Sequence, residues 1–264
     1  MFITTDDRLQ LHVMPGSGAG VPLVLSNSLG TDHALFDAQL PALGSGRPVW
    51  RYDTRGHGQS GVPAGESTIE RLGRDLLAVI DATGAPAVDL CGVSIGGATA
   101  LWVATHASDR VRRVVLANTA AKIGDEVLWF ERIRTVRAGG MPAIAEATMG
   151  RWFTDDFRAS HADVVAKFRD TVERTDVGGY TSCCAALRDA DLRPVTGRVS
   201  CPALVVTGSH DVATPPAAGE WLVAHIAGAR LLALDAAHLS NVERAAEFNA
   251  GVVEFLAGDD PRDP

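Results

Sequence analysis

The sequence predicts an α/β fold built on a mainly parallel sheet, and three observations support this prediction. Short apolar segments typical of buried strands alternate with helical patterns through the first half of the chain. This alternation returns after Cys201-Pro202, following a long stretch without a strand pattern. The 264 residues are 46% hydrophobic and 21% charged, which is typical of a globular protein with a substantial core. We therefore expect a central sheet flanked by helices and interrupted by a helical insertion.

Short hydrophobic runs indicate the first strands. An antiparallel hairpin is expected over Phe2–Thr4 and Leu9–Met14, with its turn at Asp6-Asp7. Two further strands are expected at Pro22–Leu25 and Val49–Tyr52, and each is followed by a polar loop. These strands form the N-terminal part of the predicted sheet.

A capping box indicates where the first long helix begins. Ser67 and Glu70 have the S-x-x-E spacing in which side chains and backbone amides cap each other. Apolar residues then recur at helical spacing from Ile69 to Ile80, and Gly84 is expected to end the helix.

The stretch Val88–His106 is the centre of the predicted fold. It begins as a buried strand and continues as a helix, with the G-x-S-x-G motif Gly92-Val93-Ser94-Ile95-Gly96 between them. A strained turn of this kind holds the serine hydroxyl clear of the sheet, at the positive end of the helix. Because G-x-S-x-G also occurs in ordinary loops, the prediction that Ser94 is a nucleophile depends on this context and on partners later in the chain. Val111–Ala117 is expected to be the next strand.

From Lys122 to about Thr196 the pattern is helical. A break is expected at Gly139–Pro142, and no strand is predicted in this stretch. We interpret residues 122–196 as a helical lid inserted between residues 1–121 and 197–258, which together form the core. The expected helices are marked by Trp129, Ile133 and Val136, by Ala143–Met149 and by Ala162–Val172.

The strand and helix alternation resumes in the C-terminal part. Strands are expected at Ala203–Thr207 and Leu231–Leu234, and helices over Ala217–Ile226 and Glu243–Leu256. The polar residues 259–264 are expected to form a disordered tail.

Charge and composition exclude several classes of partner. The net charge of −8 disfavours binding to nucleic acid or to anionic membranes. No apolar run approaches the roughly 20 residues that span a bilayer, and the N-terminus lacks the features of an export signal. Cys91, Cys183, Cys184 and Cys201 form neither a disulfide framework nor a C-x-x-C metal motif. We expect a cytoplasmic protein, whose oligomeric state the sequence does not indicate.

Ser94 requires a base and an acid, and two later loops supply candidates. In this architecture the acid and then the histidine follow the serine along the chain. Asp211 and His238 follow two successive predicted strands in that order, although each could also be an ordinary loop residue. His210 is a second histidine, but it precedes the acid. The other position for an acid holds Asn118, an amide, which favours Asp211.

Two backbone N–H groups are expected to form an oxyanion hole. One belongs to Ile95, which follows the nucleophile. We assign the other to Leu29, in the polar loop Ser26–Thr31, whose composition would also fit a simple turn.

These motifs resemble those of the α/β-hydrolase superfamily, and within it the 3-oxoadipate enol-lactonases of aromatic-compound catabolism. The segments RYDTRGHGQS (51–60) and CGVSIGG (91–97) are shared widely across the superfamily. Three others are more selective: SNSLGT (26–31), GYTSCCAALRDADLR (179–193) and AAHLSNVE (236–243). With VLANTAAKIG (115–124) and GRWFT (150–154), the resemblance extends from about residue 22 to residue 256.

The resemblance implies a hydrolase that needs no metal and no other cofactor and opens an enol-lactone to 3-oxoadipate. It implies Ser94, Asp211 and His238 as the catalytic triad. The chain ends soon after the closing helix, so we expect no fused decarboxylase domain of the kind that some relatives carry.

The implied substrate is a small anionic lactone, whose side-chain carboxylate requires a partner beneath the lid. Arg134, Arg137 and Arg151 are the candidates, although each would also fit a solvated surface position. We favour Arg134, with Trp152 as an apolar wall. Replacing Arg134 is then expected to raise KM for the anionic lactone only.

Other activities fit the same motifs. A general carboxylesterase, a cofactor-free perhydrolase or a carbon–carbon bond hydrolase would use the same triad with different lid contacts. A ligand-binding protein that has lost turnover belongs to a different class. A serine-directed phosphonate that labels Ser94 would distinguish an enzyme from that last alternative.

Overall fold

The computed structural model describes residues 1–258, and its centre is a single eight-stranded sheet. The strand order is β1-β2-β4-β3-β5-β6-β7-β8, with β1 and β2 antiparallel and the other strands parallel to one another. The predicted mainly parallel sheet is therefore confirmed. The strands are β1 (Phe2–Thr4), β2 (Gln10–Met14), β3 (Leu23–Ser26), β4 (Val49–Tyr52), β5 (Val88–Val93), β6 (Val111–Ala117), β7 (Ala203–Gly208) and β8 (Arg230–Leu234).

Helices pack around this sheet and form the insertion between β6 and β7. Short 3₁₀ segments occur at His33–Gln39, Ser108–Arg110 and Thr196–Arg198. Two helices of the insertion, Asp155–Ser160 and Val177–Asp189, are absent from the prediction, and the predicted closing helix is divided at Arg244. The helices are α1 (Leu40–Leu43), α2 (Ile69–Ala82), α3 (Ile95–His106), α4 (Glu126–Gly139), α5 (Pro142–Trp152), α6 (Asp155–Ser160), α7 (Ala162–Arg174), α8 (Val177–Asp189), α9 (Pro216–His225), α10 (Ser240–Glu243) and α11 (Ala245–Ala257).

The register of the central strands brings the functional loops together. Ser26 at the end of β3 pairs with Gly92 of β5, and Val93 at the end of β5 pairs with Ala117 of β6. Ala117 in turn pairs with Val206 of β7. Because these strands are parallel, the loops that follow them leave the sheet at its carboxyl edge, where ligands bind in open α/β sheets.

The start of helix α2 differs by one residue from the prediction. Thr68 is the N-cap, and its side chain accepts a hydrogen bond from the Arg71 N–H at 3.1 Å. Ser67 instead shares a 2.8 Å hydrogen bond with the hydroxyl of Ser182 in the insertion, which explains why it does not cap the helix. The predicted end is confirmed, because Gly84 adopts a φ of 72° directly after the helix.

Among the described residues, the segment between β6 and β7 contains helices and no strand, as expected. Its last helix, α8, approaches the core so closely that a Cβ on Gly179 would lie 2.4 Å from the Cα of Gly56. Our division into a core and a lid at residues 122–196 remains an interpretation of this chain order. The tail predicted at residues 259–264 lies outside the described residues. None of the helices within residues 1–258 is long and apolar enough to cross a bilayer.

The loop after β4 is organised around the buried carboxylate of Asp53. Its Oδ1 accepts hydrogen bonds from the backbone N–H and from the Nδ1–H of His33, both at 2.8 Å. Its Oδ2 accepts from His12 Nδ1 and from the Gln59 N–H, both at 2.9 Å. Burial alone would raise the pKa of Asp53, but these hydrogen bonds lower it to about 2.

We expect the Asp53→Asn variant to lose stability in a pH-dependent way. A carboxylate whose pKa falls to about 2 on folding contributes roughly 2 kcal/mol to the free energy of unfolding near neutral pH. This contribution is present above the ordinary pKa and is lost as the pH falls through the folded value. Urea unfolding of both proteins from pH 7 to pH 2.5 measures it.

The difference between wild type and variant is therefore expected to shrink below about pH 4. Asp37→Asn is the control, because the Asp37 side chain is 67% exposed. A gap for Asp53→Asn that stays constant with pH would contradict the assignment of the low pKa.

Candidate active site

Ser94 occupies a strained turn between β5 and α3, as the motif predicts. Its φ of 58° and ψ of −118° lie outside the regions that L-residues ordinarily adopt. Glycines on both sides make the turn possible. A Cβ on Gly92 would lie 2.2 Å from the carbonyl oxygen of Gly96, and a Cβ on Gly96 would lie 2.1 Å from that of Ser26.

His238 and Asp211 meet at the carboxyl edge of the sheet, where the loops after β8 and β7 converge. His238 Nδ1 lies 2.8 Å from Asp211 Oδ2, and both side chains are almost fully buried. The carboxylate also accepts hydrogen bonds from the N–H groups of Ala213 and Thr214, at 2.8 and 2.9 Å. Burial alone would raise the pKa of Asp211, but the charge and hydrogen bond of His238 and the other donors lower it to about 2.

The alternatives considered from sequence occupy other positions. His210 is exposed and pairs with the exposed Asp235, with Nε2 and Oδ1 at 2.9 Å. Asn118 donates a hydrogen bond from Nδ2 to Asp211 Oδ2 at 3.0 Å, and its Oδ1 accepts one from the Ser240 hydroxyl at 2.5 Å. The amide at the second acid position therefore supports the carboxylate of Asp211.

The two predicted oxyanion donors come from different loops: Ile95 directly follows Ser94, and Leu29 lies in the loop after β3. Ile95 is the first residue of α3, so its N–H has no acceptor within the helix. Leu29 lies in the turn after β3, and its N–H has no hydrogen-bond acceptor within residues 1–258. Leu29 lines the cavity described next, whereas the Ile95 side chain is buried in the core.

A cavity of about 230 Å³ lies between the core loops and the inserted helices. Ser94 and His238 both line it, so the structure brings the predicted nucleophile and base to one cavity. Trp152 is part of its wall, as expected. The other lining residues are Ser28, Leu29, Ile123, Gly124, Leu128, Trp129, Arg132, Thr148, Arg151, Tyr180, Leu187, Val212 and Ala213.

Arg134, which we predicted to bind the substrate carboxylate, does not line this cavity. Its side chain is 75% exposed and forms an ion pair with Glu131 on the same face of α4. Arg137 is also largely exposed. Arg132 and Arg151 line the cavity instead, and we replace Arg134 by these two residues.

The phase of helix α4 explains this correction. Trp129, Ile133 and Val136 are its buried residues, and they define the face that packs onto the protein. Arg132 lies three residues after Trp129 and four before Val136, so it projects on that face. Arg134 lies on the opposite side. The spacing from Trp129 and Val136 was the sequence signal that identifies Arg132.

The two cavity arginines have no carboxylate partner within the described residues. Arg151 Nη2 donates to the Thr148 hydroxyl at 3.0 Å, and Arg132 Nη1 lies 3.4 Å from the hydroxyl of Tyr180. Burial, together with the nearby charge of Arg132, lowers the pKa of Arg151 to about 10. The cavity therefore carries positive charge that no acidic side chain neutralises, which favours an anionic ligand.

A buried carboxylate joins the insertion to the loop of the candidate base. Glu243 Oε2 accepts from the Ala237 N–H at 3.0 Å, and its Oε1 accepts from the Thr154 hydroxyl. Nearby, the Leu239 N–H donates to the Trp152 carbonyl at 3.0 Å. The loop that carries the histidine is thus fixed directly to the wall of the cavity.

One cluster within residues 1–258 has the donor atoms of a metal site. The ligand atoms of His12, His33 and Asp53 lie within 4.8 Å of one another. The four hydrogen bonds to Asp53 described above occupy its acceptor positions, and both imidazoles donate to it through Nδ1. This geometry fits a hydrogen-bonded hub and does not fit a cation site.

Comparisons with known proteins agree with the fold. A family model of the α/β hydrolase fold matches residues 21–245. The chain is 41% identical to 3-oxoadipate enol-lactonase 2 of Acinetobacter baylyi, over 95% of this chain and 94% of the relative. It is 39% identical to 3-oxoadipate enol-lactonase 1 of the same organism, over 94% and 93%.

A solved structure agrees with these relatives. The crystal structure of the enol-lactonase from Burkholderia xenovorans LB400 superposes with a TM-score of 0.96. It is 43% identical in sequence and covers 98% of this chain and 100% of its own. The resemblance to the 3-oxoadipate enol-lactonases is therefore confirmed, and the chain belongs to the α/β hydrolase fold family.

Proposed function

We propose that this protein is a serine hydrolase that opens 3-oxoadipate enol-lactone to 3-oxoadipate in aromatic-compound catabolism. The observation that carries the proposal is one cavity that holds Ser94, His238 and two guanidinium groups without a carboxylate partner. The first two residues supply a nucleophile and a base, and the guanidinium groups select an anionic substrate. The enol-lactonases with about 40% identity support the same substrate.

The first step forms an acyl-enzyme. His238 takes the proton of the Ser94 hydroxyl, and Ser94 Oγ bonds to the lactone carbonyl carbon. The carbonyl oxygen becomes an oxyanion, which the N–H groups of Leu29 and Ile95 stabilise. Asp211 keeps the proton of His238 on Nδ1, so that Nε2 is the atom that accepts the serine proton.

Ring opening then breaks the bond between the acyl carbon and the ring oxygen. The leaving group is an enolate, which is more stable than an alkoxide and needs less protonation by His238 as it leaves. Because the substrate is cyclic, this group stays attached to the acyl-enzyme. The enolate takes up the proton that His238 accepted from Ser94 and becomes a ketone, which removes the nucleophile that would close the ring again and returns His238 to its neutral form.

Water completes the reaction. His238 takes a proton from a water molecule whose oxygen attacks the ester carbon of the acyl-enzyme, and the same oxyanion donors act again. Ser94 regains a proton as its bond to the acyl carbon breaks. The product is a dicarboxylate, and the enzyme returns to its starting state.

The side-chain carboxylate of the substrate binds Arg132 and Arg151 in this proposal, and Trp152 forms an apolar wall beside it. The partner is thus a small anionic lactone, and we predict neither a nucleic-acid nor a membrane partner. We also place the protein in the cytoplasm, since Cys91, Cys183 and Cys184 are buried thiols of the kind that persist in a reducing compartment.

Replacing either cavity arginine tests this assignment of substrate. We expect Arg132→Gln and Arg151→Gln each to raise KM for the enol-lactone by about 10- to 100-fold, because each removes a charge-assisted hydrogen bond worth about 1.5–3 kcal/mol. KM for 4-nitrophenyl acetate, which is neutral, is expected to change less than about threefold. A spectrophotometric assay with both substrates measures the two effects.

Arg134→Gln is the matched control, since Arg134 lies on the same helix as Arg132 but outside the cavity. It is expected to leave both KM values unchanged. Equal losses on the anionic lactone and the neutral ester would remove the carboxylate-binding role. A wild type that hydrolyses only neutral esters would instead identify a general carboxylesterase.

A further inference from the structure

We propose that His57 is a positioning residue that holds the oxyanion-hole turn in its active conformation. The turn consists of residues 28–31, and His57 lies in the separate loop that follows β4. The inference rests on the proposed function in one respect, since it takes the Leu29 N–H as an oxyanion donor. It concerns the transition state of acyl transfer and is independent of which ester is the substrate.

The hydrogen bonds of His57 fix its tautomer and its charge. Nδ1 lies 3.1 Å from the carbonyl oxygen of Arg55, which can only accept, so this nitrogen carries a proton. Nε2 lies 2.9 Å from the backbone nitrogen of Gly30, which can only donate, so Nε2 is unprotonated. The ring is therefore neutral and uses both nitrogens. It is 1% exposed, and burial lowers its pKa, in agreement with this assignment.

The bond to Gly30 fixes the peptide that determines the shape of the turn. The Thr31 N–H donates to the Ser28 carbonyl at 3.1 Å, and Gly30 has a φ of 81° at the third position. These features are those of a type II turn, which differs from type I by a flip of its central peptide, Leu29–Gly30. By accepting the Gly30 N–H, His57 holds this peptide in one orientation and so restricts the neighbouring Leu29 N–H.

A second contact from the same loop anchors the ends of the turn. The Asn27 side chain donates to the carbonyl oxygen of Thr31 at 2.7 Å and accepts from the Thr54 N–H and hydroxyl, at 3.1 and 2.8 Å. The Leu29 N–H lies between these anchors without an acceptor of its own within residues 1–258. The loop after β4 therefore acts as a template that leaves this donor available to an oxyanion.

The test compares two polar replacements of His57. Glutamine can place its carbonyl oxygen near the position of Nε2, whereas asparagine is too short to reach Gly30 and mimics the Nδ1 side. We expect His57→Asn to lower kcat about 10- to 100-fold on both 4-nitrophenyl acetate and the enol-lactone, with KM changed less than about threefold. This loss is below the 10²–10³-fold cost of deleting an oxyanion donor, because the donor is displaced and not removed. His57→Gln is expected to retain at least about a third of the wild-type kcat.

A second readout separates positioning from a general loss of stability. A boronic acid that forms a tetrahedral adduct with Ser94 is expected to bind His57→Asn more weakly by the same factor as kcat, while the affinity for 3-oxoadipate is unchanged. Thr196→Val is the matched control, since Thr196 is fully buried and bonds the Leu192 carbonyl, outside both the cavity and the loop after β4. It is expected to lower the melting temperature and to leave kcat unchanged.

Equal kcat values in the two His57 variants, or a loss confined to KM, would overturn the proposal. If His57→Asn does not fold, Thr54→Val takes its place, because it removes the hydroxyl bond to Asn27 at the other anchor. It should lower kcat about fivefold at constant KM, and an unchanged kcat would overturn the template role. Because the neutral ester needs no carboxylate contact, this proposal can hold even where the enol-lactone is not hydrolysed.

Discussion

Replacing Ser94 by alanine is expected to lower kcat about 10⁵-fold or more on both the enol-lactone and a neutral aryl ester. The variant loses the atom that attacks the carbonyl, and single replacements of the nucleophile in serine hydrolases cost up to about 10⁶ in kcat. Substrate binding does not depend on this oxygen, so the affinity for 3-oxoadipate should stay within about threefold of wild type. Stopped assays at high enzyme concentration measure the residual rate.

Ser28→Ala is the control for this replacement, because Ser28 lines the same cavity without a predicted role for its hydroxyl. Its kcat should stay within a few-fold of wild type. A serine-directed phosphonate adds an independent readout, since mass spectrometry locates the adduct. We expect labelling at Ser94 that is lost in Ser94→Ala and strongly slowed in His238→Ala. A cavity that binds the lactone but never reacts with the phosphonate would indicate the ligand-binding alternative.

The sequence predicts a candidate triad because parallel strands impose order on the loops that follow them. Ser94, Asp211 and His238 come directly after β5, β7 and β8, and these strands end at the same edge of the sheet. Residues that follow these strands are therefore expected to lie close together. For two of them this is seen directly, since His238 Nδ1 and Asp211 Oδ2 are 2.8 Å apart. The strand pattern carries this information together with the G-x-S-x-G motif and the chain order of the acid and the histidine.

The lid contacts could not be predicted in the same way, because they depend on how each helix is rotated and docked. Arg132 and Arg134 differ by two positions on α4, and this difference moves the guanidinium from the cavity to the solvent. Helix α8 was missed for a related reason. Most of its residues are buried on all sides, so it lacks the apolar stripe that marks a surface helix.

Choices between adjacent polar residues also depend on tertiary contacts. Ser67 and Thr68 are both favourable N-cap residue types, and serine is the more favourable of the two. The structure selects Thr68 because the Ser67 hydroxyl is engaged by Ser182, which is 115 positions away in the chain. The contact between Gly30 and His57 is a similar case. The segments that contain them, residues 26–31 and 51–60, can be recognised in the sequence, but the hydrogen bond between the two residues cannot.

Replacing Asp211 by asparagine is expected to lower kcat about 10⁴-fold, with KM changed only a few-fold. In wild type, Asp211 Oδ2 accepts a hydrogen bond from His238 Nδ1. In the asparagine variant, either the oxygen or the NH₂ group of the amide occupies that position. The backbone N–H groups of Ala213 and Thr214 both donate to Oδ1 and favour an amide oxygen at that position, against the single Asn118 amide donor at Oδ2. The NH₂ group then faces His238 and donates to Nδ1, which moves the imidazole proton to Nε2. In that tautomer His238 cannot accept the proton of Ser94.

The low pKa of Asp211 also determines how the activity of the wild type depends on pH. With a pKa of about 2, the carboxylate stays ionised throughout the range from pH 4 to pH 9 in which an ester hydrolase is assayed. A pH profile of kcat/KM in wild type should therefore show no acid limb from this group.

Circular dichroism and the melting temperature establish that the Asp211→Asn variant is folded before its rate is interpreted.

Asp235→Asn is the matched control, because Asp235 and His210 form a second aspartate–histidine pair. Its Oδ1 and Nε2 atoms lie 2.9 Å apart, and the pair is on the surface. Its kcat should equal that of wild type. If Asp211→Asn kept more than about a tenth of the wild-type kcat, orientation of His238 by a carboxylate would not be needed for the reaction. The hydrogen bond from Nδ1 would then be a packing contact, and the tautomer argument for both acylation and deacylation would fail together.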